Sequence, residues 1–409
     1  VASPTGVPMA VRTTEYDLKR TGVFTSLNAD LGANAVTVGG WYESNDFNQA
    51  RRFYAYASRT APGLSHRNFM TNPFFTQWDI DFTTKTLQYY VQDKISLGDT
   101  TINIGWKGFQ VKNEATANVA GGRPVGKIRS KDWFQPHVGV AHKFNGNLEA
   151  FAGFTQATRA FTSSVTSGPY STTQAGFDAI TGTLKPEESD TFELGARYNT
   201  AKFNGTIGVY HVNFRNRLLG ITTGAGIVGN PAVLQNVGSV RALGFEAAGD
   251  FKLGGGLSLF ASYSYNDTTY RDNVVDALGT VLAATKGKTV VDTPKHLLRG
   301  ELAYDSDSLF GKIGVNYMSK RYFTYTNALL VAGDGKGNVG SRALVDATLG
   351  YRFDLGLRSP VEIQLNATNL LDKKYVSTIG SNGFGNIGDN QTFLTGAPQQ
   401  FFLTLKGGF

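Results

Sequence analysis

The feature that most limits the fold of this chain is a rhythm in its connections. Segments of about ten residues, apolar on every second position, recur from end to end, and such alternation marks a strand with two unlike faces. One strand carries Val23, Thr25, Leu27, Ala29 and Leu31 on one side, and another carries Phe192, Leu194, Ala196 and Tyr198. A third carries Val345, Ala347, Leu349, Tyr351 and Phe353. Tight turns join them in pairs at Gly32-Ala33-Asn34, Gly98-Asp99, Asn145-Gly146-Asn147 and Ala201-Lys202. The same holds at Gly254-Gly255-Gly256, Asp305-Ser306-Asp307 and Asp354-Leu355-Gly356. Between the pairs run long connections, expected at 48–83, 113–130, 162–188, 217–238, 270–294, 322–340 and 371–398. Short and long therefore alternate strictly, which an ordinary two-layer sandwich does not require.

The terminal stretch has the same form. Phe401, Leu403, Leu405, Gly407 and Phe409 share one face, and Gln400, Phe402, Thr404, Lys406 and Gly408 share the other. A tilted strand of about ten residues crosses a bilayer. Tight turns at one end of a sheet and long loops at the other are the arrangement of an outer-membrane barrel. The expected fold is therefore all-β: an antiparallel transmembrane β-barrel of outer-membrane type, 1–409 forming one barrel domain. The C-terminus would be periplasmic and the long connections extracellular. Glu193, Arg197, Glu246, Asp250, Lys252, Arg299, Glu301, Asp346, Arg352 and Glu362 fall on the polar face. In the lumen they avoid the roughly 2–4 kcal/mol that a cation costs on the lipid face at midplane. Trp106, Tyr198, Tyr304, Tyr317 and Tyr351 fall near strand ends, as an interfacial girdle requires. The count is about fifteen strands. An odd number cannot close an all-antiparallel barrel. Either a strand lies hidden in 1–18 or 76–83, or the chain lacks the N-terminal part of the barrel. The second is the expectation, because the chain starts at Val1 without Met or signal peptide.

Composition removes other classes. There is no Cys, hence no disulfide and no thiolate metal site. No apolar run has the length of a transmembrane helix. The net charge of +7 comes from scattered Lys and Arg, with no stripe of nucleic-acid character. His66, His137, His142, His211 and His296 have no metal-ligand spacing. No Ser sits in a G-x-S-x-G elbow, and Asp334-Gly335-Lys336-Gly337-Asn338-Val339-Gly340 reads as a loop rather than a phosphate cradle. No enzyme activity, metal or cofactor is expected.

Two stretches resemble the TonB-dependent outer-membrane receptors. They are Lys185-Pro186-Glu187-Glu188-Ser189-Asp190-Thr191-Phe192-Glu193-Leu194-Gly195-Ala196-Arg197-Tyr198 and Asn366-Ala367-Thr368-Asn369-Leu370-Leu371-Asp372-Lys373-Lys374-Tyr375. Tyr90-Val91-Gln92-Asp93 and the terminal Phe409 match as well. The resemblance covers essentially the whole chain, as the C-terminal part of a barrel of twenty-two strands. Each stretch also reads physically. Pro186 starts a strand where no ladder donor is needed. Glu193 and Arg197, on one face, are expected to pair. Asn369 to Asp372 begins a loop.

The resemblance implies a receptor in the outer membrane of a Gram-negative bacterium that takes up a scarce solute, most often a ferric siderophore. It implies outer-membrane lipid around the barrel and a lumen plug through which TonB acts, the plug being absent from this chain. It also implies that the barrel-assembly machinery reads the last strand, with Phe409, Leu405 and Leu403 as its signal. Exposed loop aromatics would bind solute: Trp78, Tyr170, Phe177, Tyr322, Tyr325 and Phe384, with Phe74 and Phe75 beside them. Their alternative role is packing of loops on one another. The alternative for the whole chain is a passive porin-like channel.

Overall fold

A computed structural model describes residues 9–56, 58, 60, 65, 67, 69–222, 232–236, 238–275, 280–328, 337–356, 359–379 and 393–408. Phe384 and Phe409 lie outside these residues. The first strands are β1 (Met9–Leu31), β2 (Asn34–Tyr56), β3 (Phe75–Leu97), β4 (Thr100–Val119), β5 (Gly126–Lys143) and β6 (Leu148–Arg159). After an eight-residue helix, α1 (Gln174–Thr181), come β7 (Glu187–Asn199) and β8 (Phe203–Arg215). A short hairpin, β9 (Leu218–Thr222) and β10 (Ala232–Asn236), stands in the next connection. Then follow β11 (Val240–Gly254) and β12 (Leu257–Tyr270), with a small hairpin β13 (Val274–Val275) and β14 (Val281–Ala283). β15 (His296–Asp305) and β16 (Leu309–Met318) precede the pair β17 (Arg321–Tyr322) and β18 (Asn338–Val339). β19 (Arg342–Phe353) and β20 (Ser359–Thr368) precede β21 (Val376–Ile379) and β22 (Phe393–Thr395), and β23 (Gln400–Gly408) ends the chain.

Fifteen strands form one antiparallel sheet in the order β1 to β8, β11, β12, β15, β16, β19, β20, β23. The count agrees with the sequence, and the fold is that of an outer-membrane barrel wall. The strand ends do not all agree. β2 runs nine residues beyond Phe47, and β3 begins at Phe75 rather than after Thr83. The connection expected at 113–130 shrinks to 120–125, because β4 and β5 both extend into it. Residues 9–18 and 76–83 belong to β1 and β3, so neither holds an extra strand. On β2 the adjacent Arg51 and Arg52 and the adjacent Phe53 and Tyr54 break the alternation, whereas on β3 Trp78, Ile80 and Phe82 do alternate with Asp79, Asp81 and Thr83, a short pattern lost in a segment rich in Arg, Asn and aromatics.

The register separates two faces. Leu194, Val209, Leu302, Ile313, Leu349, Ile363, Leu403 and Leu405 lie on one, each between 42% and 75% exposed. Among the described residues no second layer covers these side chains, as suits a face that meets lipid. The other face carries the charges. Arg197 is one correction to the sequence reading: its partner is Glu149, directly opposite on β6, at 2.5 Å. Glu193 is four residues away along the same strand, about 13 Å at the normal rise, and is out of reach.

A repeated device builds this inner face. Phe151 lies directly opposite Gly195, and Phe310 directly opposite Gly350. Each ring folds over the glycine, where a Cβ would overlap it. Two residues on, Arg197 and Arg352 place their guanidiniums over these same rings, both 4.3 Å from the centroid. Arg352 also bonds Glu362 across the sheet at 3.1 Å. Gly-x-Arg thus lets one strand stack an aromatic and a cation against its neighbour.

The second family-like stretch is a chain reversal. Asn369 has φ 48° and is buried. Its amide donates to the carbonyls of Lys373 and Ala397, both at 3.0 Å, and its side-chain oxygen accepts the Lys373 N–H at 2.8 Å. Its own N–H donates to Asp346 at 2.8 Å, and Asp372 accepts from the Gln399 N–H. Asparagine tolerates positive φ better than most residues and bonds backbone locally. The turn therefore ties the exit of β20 to the entry of β23.

Gly195→Val should destabilise the folded barrel by about 1–3 kcal/mol, because its side chain meets both the Phe151 ring and, at 2.6 Å from Cβ, the Ile207 carbonyl oxygen. The urea midpoint of the folded species on an unheated gel measures this. Gly139→Val, whose nearest neighbour stands 3.9 Å away, should shift it far less.

Candidate functional site

At the long-loop end the inner face stops being purely polar. Trp78, Ile80 and Phe82 on β3, Ala115 on β4 and Ile128 on β5 are all buried there. Five apolar side chains facing a water-filled lumen need a cover. The connection 160–186 supplies it by folding inward. Phe161, Val165, Tyr170 and Phe177 pack on these residues and complete one cluster. Tyr170 stacks on Phe177 with centroids 4.8 Å apart and meets Phe82 edge-on at 5.1 Å.

Polar groups fix the cover in register. Gln49 accepts from the Val165 N–H at 2.9 Å, and Asn113 donates to the Phe161 carbonyl at 3.0 Å. The Tyr170 hydroxyl, its acidity suppressed mainly by burial, donates to the carbonyls of Asn113 and Gly126 at 3.1 Å. Thr173 caps helix α1 by accepting from the Gly176 N–H. Gln174, in the first turn, clamps both backbone groups of Val125 at 2.9 and 3.1 Å. The helix thereby holds the 120–125 turn and, with it, Arg123.

Three arginines converge beside this cluster. Arg51 stands opposite Trp78, with its guanidinium carbon 5.0 Å from the indole centroid. Arg12 faces Phe53 on β2, one diagonal step from Arg51 on the same face. Arg12 and Arg123 are both near enough to repel Arg51. Burial pushes the Arg123 guanidinium below its ordinary range. Among the described residues, none of the three has an ion pair or a side-chain hydrogen bond. The Arg51 Nε and the Trp78 Nε1 are buried donors without an acceptor. Unpaired cations and orphaned donors at one spot make a site that an anion would complete.

The other connections are tied down as well. Leu219, Val240, Tyr270, Val274, Ala283, Val290 and Tyr325 form a second buried cluster. Arg321, itself buried, bonds Asp292 at 2.7 Å and the Val376 carbonyl at 3.3 Å. In the first family-like stretch, the buried Glu187 accepts two bonds from Arg217, at 2.8 and 2.9 Å, and one from the Leu218 N–H. Asn236 pairs with both backbone groups of Lys185 at 2.9 Å. That stretch is a joint between the wall and its loops.

Trp78 lies in β3 rather than in a connection, and it shares one cluster with Tyr170 and Phe177. Tyr325 belongs to the second cluster, and Tyr322 is half-buried on β17 with the Lys320 ammonium 5.4 Å from its ring. Leu403 and Leu405 lie on the lipid-facing side of β23. Sequence reasoning missed Arg12, Arg51 and Arg123. Arg51 and Arg52 are adjacent, and only the strand parity through position 51 sends one inward and the other to Glu15 and Asp79 outside.

Tyr170→Ala should loosen the 160–186 cover by about 3–5 kcal/mol, the usual cost of deleting a buried aromatic. Limited proteolysis of folded protein should then cut within this connection, while the wall strands stay protected.

The family profile described as TonB dependent receptor-like, beta-barrel matches residues 3–370. The ferric-pyoverdine M114 receptor PbuA of Pseudomonas sp. (strain M114) is 29% identical over 67% of this chain and 29% of its own length. A TonB-dependent receptor of Haemophilus influenzae, described as uncharacterized, is 26% identical over 73% of this chain and 80% of its own. The crystal structure of the ferric citrate transporter FecA in the unliganded form superposes with a TM-score of 0.71 at 20% identity, covering 96% of this chain and 55% of that one. The chain thus spans under a third of the pyoverdine receptor and about half of the solved transporter.

Proposed function

The chain belongs to the TonB-dependent receptor-like β-barrel family, and from that premise we propose that it forms the C-terminal part of an energy-coupled receptor that takes up a ferric siderophore. Members of the family are outer-membrane proteins of Gram-negative bacteria, and the wall described above is built for that membrane. The observation that carries the solute class is the cluster of Arg12, Arg51 and Arg123 against Trp78. Ferric siderophores present carboxylate, catecholate or hydroxamate oxygens, often with net negative charge. Three unpaired guanidiniums at the lumen mouth complement such oxygens, and a buried indole gives a flat apolar surface beside them.

In this reading the long-loop end faces outward, and solute reaches the arginines before it enters the lumen. The inner face below them, with Glu149–Arg197 and Arg352–Glu362, is where a plug would sit and through which TonB would act. Two features support a wall of more strands than these fifteen. β1 and β23 have no further partner strand among the described residues, and the chain spans only part of the receptors that resemble it. The passive-pore alternative finds no support among these relatives, which are receptors. The clustered groups are cations and aromatics, which bind and orient.

Arg51→Ala, made in the intact receptor, should weaken binding of an anionic ferric siderophore by about 10- to 100-fold, the range for a charged hydrogen bond. Quenching of tryptophan fluorescence reads it. Arg51→Lys should recover part of the loss. Iron uptake that continues unchanged in cells without TonB would overturn the energy coupling.

A further inference from the structure

The turn that carries Arg123 stands at an open corner of the wall. β5 begins at Gly126 and β6 runs on to Arg159, yet the two pair only from His137↔Thr155 to Lys143↔Glu149. Above that height β5 keeps its ladder to β4 alone, up to Ala115↔Gly126. Side chains bridge the seam that this leaves. Gln135 accepts from the Thr158 N–H at 2.9 Å, and Ser130 accepts from the Phe161 N–H at 3.3 Å. A strand edge without a neighbour needs other partners for its backbone groups.

At the corner itself one side chain supplies them. The Val125 N–H donates to Gln174 Oε1 at 2.9 Å, and Gln174 Nε2 donates to the Val125 carbonyl at 3.1 Å. An amide that accepts from and donates to the same residue makes both bonds that a paired strand residue would make there. Gln174 Nε2 also donates to the Asp178 carboxylate, one helical turn on, at 2.9 Å. A carboxylate only accepts, so this bond fixes which end of the amide meets which backbone group. Phe177, three residues on, anchors the helix in the apolar cluster, and Gln174 is thereby carried on a fixed element.

The far side of the turn is seated on β3. Gly121 has φ 53° and lies against Gln77 and Trp78, where a Cβ would overlap the Gln77 carbonyl oxygen. Arg123 follows two residues later, near enough to Arg51 for the two to repel. No acid among the described residues pairs with either. With β5 free on one side, that repulsion drives the turn outward unless something holds it.

We propose that Gln174 is a positioning residue of the anion site: by holding Val125 it fixes Arg123 beside Arg51 and Trp78, so that an anionic solute meets three guanidiniums rather than two. Gln174 need not touch the solute. Its role rests on the reading of this cluster as an anion site.

The intact receptor tests this with inorganic sulfate as the probe, titrated by tryptophan fluorescence with Trp78→Phe as the background. Gln174→Met keeps the length of the side chain and removes both bonds. It should weaken sulfate binding by about 10-fold, as Arg123→Gln should, the lower end of the range for a charged hydrogen bond. Gln174→Met/Arg123→Gln should bind like Arg123→Gln alone, because a residue acting only through Arg123 then has nothing left to position. Hydrogen exchange of the 120–125 turn should rise by about 10-fold in Gln174→Met, with or without sulfate. Limited proteolysis should find the 160–186 connection as protected as in the parent. Full additivity of the two losses, parental sulfate affinity in Gln174→Met, unchanged exchange of the turn, or new cleavage within 160–186 would each overturn the positioning role alone. A parent that binds no sulfate, or that binds it equally after Arg51→Ala, would overturn the anion site itself and the positioning role with it.

Discussion

The backbone's demand for hydrogen-bond partners in a medium without water governs everything else in this molecule. A strand in hydrocarbon must find every partner on its neighbours, so fifteen strands form one continuous antiparallel ladder. Register then becomes a chemical statement, because a slip of one residue would send each side chain to the opposite face. Glu149 meets Arg197, and Arg352 meets Glu362, because the ladder holds them opposite each other. The Gly-x-Arg device depends on the same constraint: Phe151 can cover Gly195 only if the two are cross-strand partners.

This explains what could be read from the sequence. Within the membrane, lipid imposes alternation, so Phe192, Leu194, Ala196 and Tyr198 announce their face and the tight turns between strands are visible. Above the membrane no lipid imposes the pattern, and apolar side chains such as Trp78, Ile80 and Phe82 face a folded-in connection instead, while the ladder continues. Asn48 to Tyr56 and Phe75 to Thr83 therefore looked like loop, although β2 and β3 pair through them. Arg51 and Trp78, the centre of the three-arginine site, sit in that stretch. Arg51 and Arg52 are chemically equal in sequence, and only an unbroken strand with known parity distinguishes the inward cation from the outward one. Trp78 was legible as an aromatic of interest for its type but not for its place. The family-like stretches were legible as motifs, whereas their work is architectural: Glu187 and Asn369 each satisfy several backbone and side-chain donors at a junction.

The loop aromatics show how a wall of this kind makes a mouth. A wide sheet leaves its lumen open, and a cluster such as Trp78, Ile80 and Phe82 would be wet on one side. Folding 160–186 inward buries that surface and narrows the opening in the same movement. It also sets where charge can stand. Gln174 holds Val125, Val125 lies two residues from Arg123, and Arg123 is thereby kept near Arg51 against their mutual repulsion. Apolar packing supplies the energy, and the cations are carried along by it.

Strand parity alone decides what a cation on this wall meets. Arg12 and Arg51 lie on the inner face against an indole, at a low-dielectric spot where an anion gains most from each donor. Arg52, one residue on, lies on the outer face and is engaged by Glu15 and Asp79. The same alternation that keeps charge out of lipid thus leaves one of two adjacent arginines without an acid among the described residues and closes the other.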